Sequence, residues 1–592
     1  MPPTTAFTGP YRGLVLSFDI GTTFSGAAYA ILDPGQIPKI LPITRYPGQE
    51  NGDFKIPSVL YYSPDGILRA AGAEAMNPEL KLEAEDEGLI FVEWFKLHLR
   101  PDYMQGIDSE ELPPLPRRKT AVQVFSDFLG YLYTCARRYI QESHASGDLL
   151  WDSVKDRIDF ILTHPNGWEG LQQSKMRQAA VRAQLVPDSA AGRSRIHFVT
   201  EGEASLHFCL DSGLATEVRE GEGVMVIDAG GGTVDLSTYS IIACSPLRVE
   251  EVSAPGCILQ GSTRINARAR NFLEEKLKNS RYRDDITTML ERFDKATKTT
   301  FKDSNEKAYI HFGSLRDRDI EVGIRSGQLI LEGSTVAQFF QPSVDAIIEA
   351  VKQQLVNPSV SRAVKTAFFV GGFAASPWLY KNLLSSLRET NVRLCRPDNH
   401  TNKAVAEGAI SFYIEHFVTA RIARVTYGSD HVVEFNPTDP EHVIRRARAH
   451  TKPSGQIVIP EAFSVLLSKV YTHGTRIRES EEVSVDFYNE GANERALNNV
   501  VADIVCYRGR ELDPKFMDKE SELFSPLCTV TGDTSKVPKV RRNGRNGVYY
   551  TQAFKVVLIC GLTELKAQLS WMQKGVEKRG PAQVVYDIEA TG

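Results

Sequence analysis

The run Val224-Met225-Val226-Ile227-Asp228-Ala229-Gly230-Gly231-Gly232-Thr233-Val234-Asp235-Leu236 constrains this chain more than any other stretch. Four apolar residues end on an acid, three glycines follow, and a threonine opens an apolar/acid alternation. The pattern predicts strand, tight turn, strand, because glycine tolerates positive φ and the close approach of another backbone. Successive glycine amides beside a threonine hydroxyl form a concavity suited to phosphate. Asp228, at the strand end, is placed to hold a hydrated cation against that phosphate. A second copy of the design lies at Leu14-Val15-Leu16-Ser17-Phe18-Asp19-Ile20-Gly21-Thr22-Thr23-Phe24-Ser25-Gly26-Ala27-Ala28-Tyr29. Either copy alone reads equally well as a glycine-containing β-hairpin. The pair predicts duplicated lobes closing on one ligand.

A chain of 592 residues exceeds one core and suggests about three or four domain-sized units. Residues 1–420 hold 45 Lys+Arg against 52 Asp+Glu, and residues 421–592 hold 24 against 22. Neither part is a basic face, so the charge supports neither a nucleic-acid partner nor an anionic membrane. The eight cysteines form no C-x-x-C pair, which leaves zinc and thioredoxin-like chemistry without support and suits a reducing compartment. Met1 to Gly13 is polar and Pro-rich, without the apolar core of a secretory signal, and no apolar run approaches a membrane span. The expectation is a soluble, cytoplasmic protein, a monomer or weak oligomer.

Along the chain, residues 1–12 read as a loose tail and 14–32 as the first hairpin. Residues 56–72 read as a further strand and turn, and 113–116 as a Pro-rich loop. Residues 120–142 predict a helix, with Val122, Phe125, Leu129, Leu132, Ala136 and Tyr139 on one apolar face. A strand at 158–163 stops at His164-Pro165-Asn166-Gly167, a helix crosses 170–185, and a strand at 196–199 opens onto Glu201-Gly202-Glu203-Ala204-Ser205. Residues 211–223 read as a hinge. Helices follow at 262–278, capped by Ser262, and near 334–355. Thr366 to Val370 is an apolar strand ending in Gly371-Gly372, with a helix from Pro377, a residue suited to the first helical position. Residues 404–418 are helical. This alternation marks an α/β architecture. Beyond about 420 the runs 457–470, 483–489, 500–507, 548–560 and 583–588 read as strands between polar turns, and the basic stretch 536–545 as a solvated loop.

Asp19-Ile20-Gly21-Thr22-Thr23-Phe24-Ser25, Asp228 to Asp235 and Val370-Gly371-Gly372 come in the order of the two phosphate motifs and the adenosine motif of the actin-like ATPase superfamily. The wording most resembles the 70-kDa heat-shock chaperones. It is nearest a divergent branch of that family, common in fungi and present in animals, to which Trp94-Phe95-Lys96-Leu97-His98-Leu99 and Glu201 to Ser205 are similar. The resemblance implies a two-lobed actin-like (ribonuclease H-like) ATPase domain over 13–420. Lobe I would cover about 13–215 and lobe II about 223–400, with a closing helix to 420. A β-rich C-terminal domain, divergent from a typical peptide-binding domain, would follow at 421–592.

The resemblance also assigns roles. ATP or ADP would be held by Gly21, Thr22, Thr23 and Phe24 from one lobe and by Gly230, Gly231, Gly232 and Thr233 from the other, with Gly371 and Gly372 at the adenosine. Mg²⁺ usually keeps several waters, so Asp19 and Asp228 would bind it through water. Lys96 would steer the attacking water, Glu201 would stand near the metal's water shell, and Asp235 would be a second acid across the cleft. Lys298 would approach the adenine from a helix. Pro165 and Arg177 match a proline and arginine that relay nucleotide state to the C-terminal domain. The chain departs from the family at Ala374-Ala375-Ser376, where the chaperones carry an arginine that stacks on adenine.

The implied function is an ATP-binding, slowly hydrolysing chaperone-like protein whose C-terminal strands contact a protein client or co-chaperone. The alternatives are a small-molecule kinase of the same superfamily, with Asp235 as its base, and a nucleotide-gated scaffold without turnover. A P-loop enzyme is excluded because the chain contains no Gly-Lys dipeptide. Rossmann binding fits poorly, because the glycines join strand to strand rather than strand to helix.

Overall fold

The computed structural model describes residues 5–101, 104, 112–168, 170–211, 219–388, 390, 392–397, 403–423, 425–468, 476–478, 481–511, 513–560 and 565–584. Most of the hinge expected at 211–223, and the last residues of the strand expected at 583–588, lie outside the described residues. The fold is mixed α/β with several sheets. The chain forms two compact units, one of residues 1–168, 175–249 and 255–417, the other of residues 169–174, 250–254 and 418–592.

The first unit contains two sheets of matching topology. Gly13–Ile20 and Phe24–Leu32 form an antiparallel hairpin in which Asp19 stands opposite Gly26. Ile158–His164 lies parallel to Gly13–Ile20, and Ile196–Thr200 lies parallel to Ile158–His164. In the other sheet Gly223–Ala229 and Val234–Cys244 form the hairpin, with Asp228 opposite Asp235. Val364–Val370 and Arg393–Cys395 then follow in parallel. The central strands are buried along nearly their whole length, the mark of sheets covered on both faces. Parallel neighbours need a crossover, and the sequence supplies one after each parallel strand.

The helix Ala121–Ser143 is fixed at its start by a capping box between Thr120 and Gln123. It buries Phe125, Phe128, Leu129 and Leu132. Val122 and Tyr139, expected on its apolar face, are only half-buried. Glu201–Asp211 is buried on every side after its first residue, and the hydroxyl of Thr200 accepts the amide of Glu203 at 3.2 Å, so this helix begins capped. Ala404–Glu415 packs against it so closely that a Cβ on Gly408 would lie 1.8 Å from the Ala204 carbonyl oxygen. This crossing seats the helix that carries Glu201 and Ser205.

Phe7 exchanges backbone hydrogen bonds with Gly35 and Gln36, in the turn that follows Phe24–Leu32, at 2.8 and 2.9 Å. Residues 90–99 are a strand, Ile90–Glu93, followed by a single turn, Phe95–Leu99. Ser262 makes no side-chain capping bond; Thr263, the first helical residue, instead donates its hydroxyl to the Gly231 carbonyl at 2.9 Å.

In the second unit, Thr426–Glu434, Ile457–Leu467, Asn499–Tyr507 and Phe524–Asp533, with the short His450–Thr451, form one sheet. Glu482–Gly491, Gly547–Cys560, Leu565–Gln573 and Val576–Arg579 form another. Val500, Ile504 and Val530 from the first share a core with Val556, Leu558 and Leu569 from the second. The basic stretch read as a loop is largely a strand: Val540–Gly544 pairs with 547–551, with Gly544 opposite Gly547. Its side chains are exposed, so the pairing rests on backbone hydrogen bonds and escapes a reading based on apolar alternation.

Candidate functional site

The two glycine-threonine turns meet. A Cβ on Gly231 would lie 2.3 Å from the Thr23 hydroxyl oxygen, and one on Gly232 would lie 2.3 Å from that of Thr22. Both glycines are thus required by close approach, and the Thr22 and Thr23 side chains of the first turn rest against the second. The second turn closes on itself through Gly230 N–H to the Thr233 carbonyl at 2.9 Å. Its three glycine carbonyls accept the amides of Gly261, Ser262 and Thr263. Thr22 and Thr233 are buried, whereas Phe24 is 50% exposed.

Beneath the turns lies a cluster of four acids and two lysines. Lys96 is buried and donates to Glu201 Oε1 at 2.5 Å, and its ammonium stands 5.7 Å from the Trp168 ring centre. The turn that carries Lys96 starts at Trp94, whose φ of 55° is the left-handed conformation that costs an L-residue about 1–2 kcal/mol. Strain of this kind gathers at functional sites. Asp19 accepts the Thr163 hydroxyl at 3.2 Å and pairs with Lys55 at 2.8 Å. Asp228 accepts the Ser205 hydroxyl at 2.7 Å. Asp235 accepts the Asn166 amide at 2.5 Å. The Asn166 side-chain amide in turn donates to Leu236 O, Ser237 Oγ and Gly256 O at 3.1–3.2 Å, pinning the second hairpin.

The cluster is electrostatically tense. Burial pushes the Asp228 carboxyl up to about 7; the neighbouring Glu201 adds to this, and the Ser205 hydrogen bond opposes it. Burial likewise raises Asp235, reinforced by Glu201 and Asp228. Glu201 is raised by burial against the pull of Lys96. Burial works against the Lys55 ammonium, but Asp19, Asp228 and Glu201 outweigh it and hold the group above its usual range. Four acids beside two ammoniums cannot all ionise without further positive charge, and a divalent cation would let them do so.

The residues fit such an ion held through water. Among the described residues no set of three or more His, Cys, Asp or Glu side chains is gathered for direct coordination. Asp19 and Asp228 are nevertheless both buried, with the Asp19 charge adding to the rise at Asp228, and Asp235 Oδ2 has no hydrogen-bond partner among the described residues. That arrangement suits a hydrated Mg²⁺.

Comparison with known proteins adds a likeness to one group of them. Heat shock 70 kDa protein 12A from mouse is 22% identical over 494 residues, covering 70% of this chain and 71% of its own, and the human protein gives the same values. Human heat shock 70 kDa protein 12B is 24% identical over 515 residues, covering 72% of each chain. No family model matches the chain. Over about 70% of its length the chain is thus similar, at 22–24% identity, to 70-kDa heat-shock proteins.

Gly371 follows the strand Val364–Val370 with φ of 90°. A Cβ there would lie 2.4 Å from the Ala229 carbonyl and 2.5 Å from Asp228 Oδ1. Gly371 therefore lets the backbone after Val364–Val370 approach Asp228 closely, while Gly372 faces open space. Lys298 is buried at the end of a helical segment. It donates to Asp294 Oδ1, to Asn266 Oδ1 at 3.0 Å and to Ser262 O at 3.5 Å. Its ammonium is thus committed to neighbouring oxygens. Arg177 reaches the Ile196 carbonyl at 3.3 Å and lies over Phe198, and Pro165 precedes Asn166 at the end of its strand.

Sequence reasoning missed Lys55, Thr163, Asn166 and Ser205. Ser205 stands four residues after Glu201, one helical turn on, which was a usable signal. Asn166 was read only as a strand terminator. Nothing local to Lys55 announces its partner.

Proposed function

We propose that this chain binds Mg²⁺-ATP between its two glycine-threonine turns and hydrolyses it slowly, as a chaperone-like protein of the actin-like ATPase superfamily. The observation that carries the reading is the abutment of Thr22 and Thr23 on Gly231 and Gly232 above the acid cluster. Phosphoryl transfer is catalysed mainly by positioning and electrostatics, and these residue types at these places supply both. Thr22, Thr23 and the Gly230–Thr233 turn bind the β- and γ-phosphates. Asp19 and Asp228 hold the waters of Mg²⁺, which when bound offsets phosphate charge. Lys96, fixed by Glu201 and Trp168, orients the attacking water and offsets γ-phosphate charge. Asp235 keeps the second hairpin in place through Asn166. ATP and water give ADP and phosphate.

Base recognition is weak on this reading. Lys298 is spent on Asp294 and Asn266, and residues 374–376 offer no guanidinium to stack on adenine. Coupling of the nucleotide state to the strands of 418–592, through Pro165 and Arg177, and a protein client for those strands, rest on the heat-shock likeness. Calorimetric titration of ATP, ADP and GTP with Mg²⁺, followed by phosphate release on the same sample, tests the proposal. The expected result is ATP binding, less than tenfold preference over GTP, and slow release. Binding without release would make the chain a nucleotide-gated scaffold, and no binding would end the reading.

A further inference from the structure

Asp19, Gly26 and Lys55 form one row across three strands. Asp19 stands opposite Gly26 in the first hairpin, and Gly26 stands opposite Lys55 in the short strand Lys55–Pro57. Residues directly opposite one another share a face of the sheet, and strands lie about 4.8 Å apart. A lysine two strands away must therefore pass over the middle position to reach Asp19. Gly26 leaves that lane open: a Cβ there would lie 3.2 Å from the Lys55 Cγ. The Lys55 ammonium ends 2.8 Å from Asp19 Oδ2, with 18% of its side chain exposed. Thr163 occupies Oδ1 at 3.2 Å. Both oxygens of the acid assigned to the metal's waters are thus engaged, one of them by a full positive charge.

We propose that Lys55 is a resident counter-ion that competes with the divalent cation for Asp19, so that metal enters the cleft only with a phosphate that draws the ammonium away. The inference rests on the reading of Asp19 and Asp228 as the metal site. A long, partly exposed lysine can exchange one anionic partner for another with little cost to the fold, whereas the deeply buried Lys96 is held by Glu201 and Trp168. Without Lys55 the four carboxylates would face a single ammonium, and a bare divalent cation would be the available replacement.

The test is a titration of the full chain with Mn²⁺ alone, read by calorimetry and by the paramagnetic signal of free Mn²⁺. Lys55→Met removes the charge while keeping the length, and it should bind one Mn²⁺ at least tenfold more tightly than the unmodified chain. Lys55→Arg should stay as weak as the unmodified chain, and adding Asp19→Asn to Lys55→Met should remove the gain. If Lys55→Met does not fold, Lys55→Gln carries the same comparison. Mn²⁺ affinity in the neutral variant no higher than in the unmodified chain overturns the proposal. If the unmodified chain binds Mg²⁺-ATP in that case, only the role of Lys55 falls; if it does not, the metal site falls with it.

Discussion

Replacing Asp228 by Asn should stabilise the nucleotide-free protein, and the gain should depend on pH. Asp228 is buried, with its carboxyl pushed up to about 7 from an ordinary value of 3.8. A carboxyl whose folded pKa is raised binds more protons folded than unfolded, so stability falls as pH rises from the unfolded value through the folded one. Each pKa unit is worth about 1.36 kcal/mol. Integrated over the shift, the ionisable side chain costs about 4 kcal/mol at pH 8, and about 0.5 kcal/mol at pH 4. Asn keeps an oxygen for the Ser205 hydroxyl, so the hydrogen bond survives and the charge does not. For a cooperative unit of roughly 400 residues, 4 kcal/mol corresponds to a rise of about 3–5 °C in the melting midpoint. Scanning calorimetry of both proteins in EDTA at pH 8 and pH 4 checks this. A gap that is the same at both pH values, or a variant less stable at pH 8, would refute the electrostatic account of the cluster.

Lys96→Ala should slow phosphate release at least tenfold while leaving the ATP dissociation constant within about threefold, as single-turnover and binding measurements would show; equal loss of both would remove its role with the attacking water. Gly231→Ala should weaken nucleotide binding at least tenfold, because its methyl would collide with Thr23 across the gap between the turns, while circular dichroism stays unchanged. Gly408→Ala should leave nucleotide contacts intact but cost about 3 kcal/mol of stability by urea unfolding, since overpacking against the Ala204 carbonyl must push two buried helices apart.

The parts of this fold open to sequence reading are those whose cause is local. An apolar run stopped by Asp and glycines is a strand end and a turn in any context, so both hairpins, and the parallel strands Ile158–His164 and Val364–Val370, could be placed. Helix spacing located Ala121–Ser143 and Gly333–Gln354 to within a residue or so. The strands of the second unit without an apolar signature, such as Val540–Gly544, were not placed, because only their pairing makes them strands. The same division runs through the candidate site. Asp19, Asp228 and Asp235 are tied to the motifs that carry them, and Lys96 and Glu201 come from segments wordy enough to be matched.

Lys55 shows where such reading must stop. Its place beside Asp19 depends on two registers, Asp19 to Gly26 and Gly26 to Lys55. A slip of one residue in either would turn the ammonium to the opposite face of the sheet. Gly26 takes its meaning from the same geometry: in the hairpin it is one small residue among several, and across the sheet it is the gap through which a lysine reaches an acid. On the proposed reading, the charge balance around Asp19 is therefore set by a residue outside the three motifs. A chain can keep all three motifs and still alter its response to metal through that single position. In relatives that keep Asp19 but place a neutral residue at the position of Lys55, metal should bind without nucleotide, and the order of metal and nucleotide entry should differ.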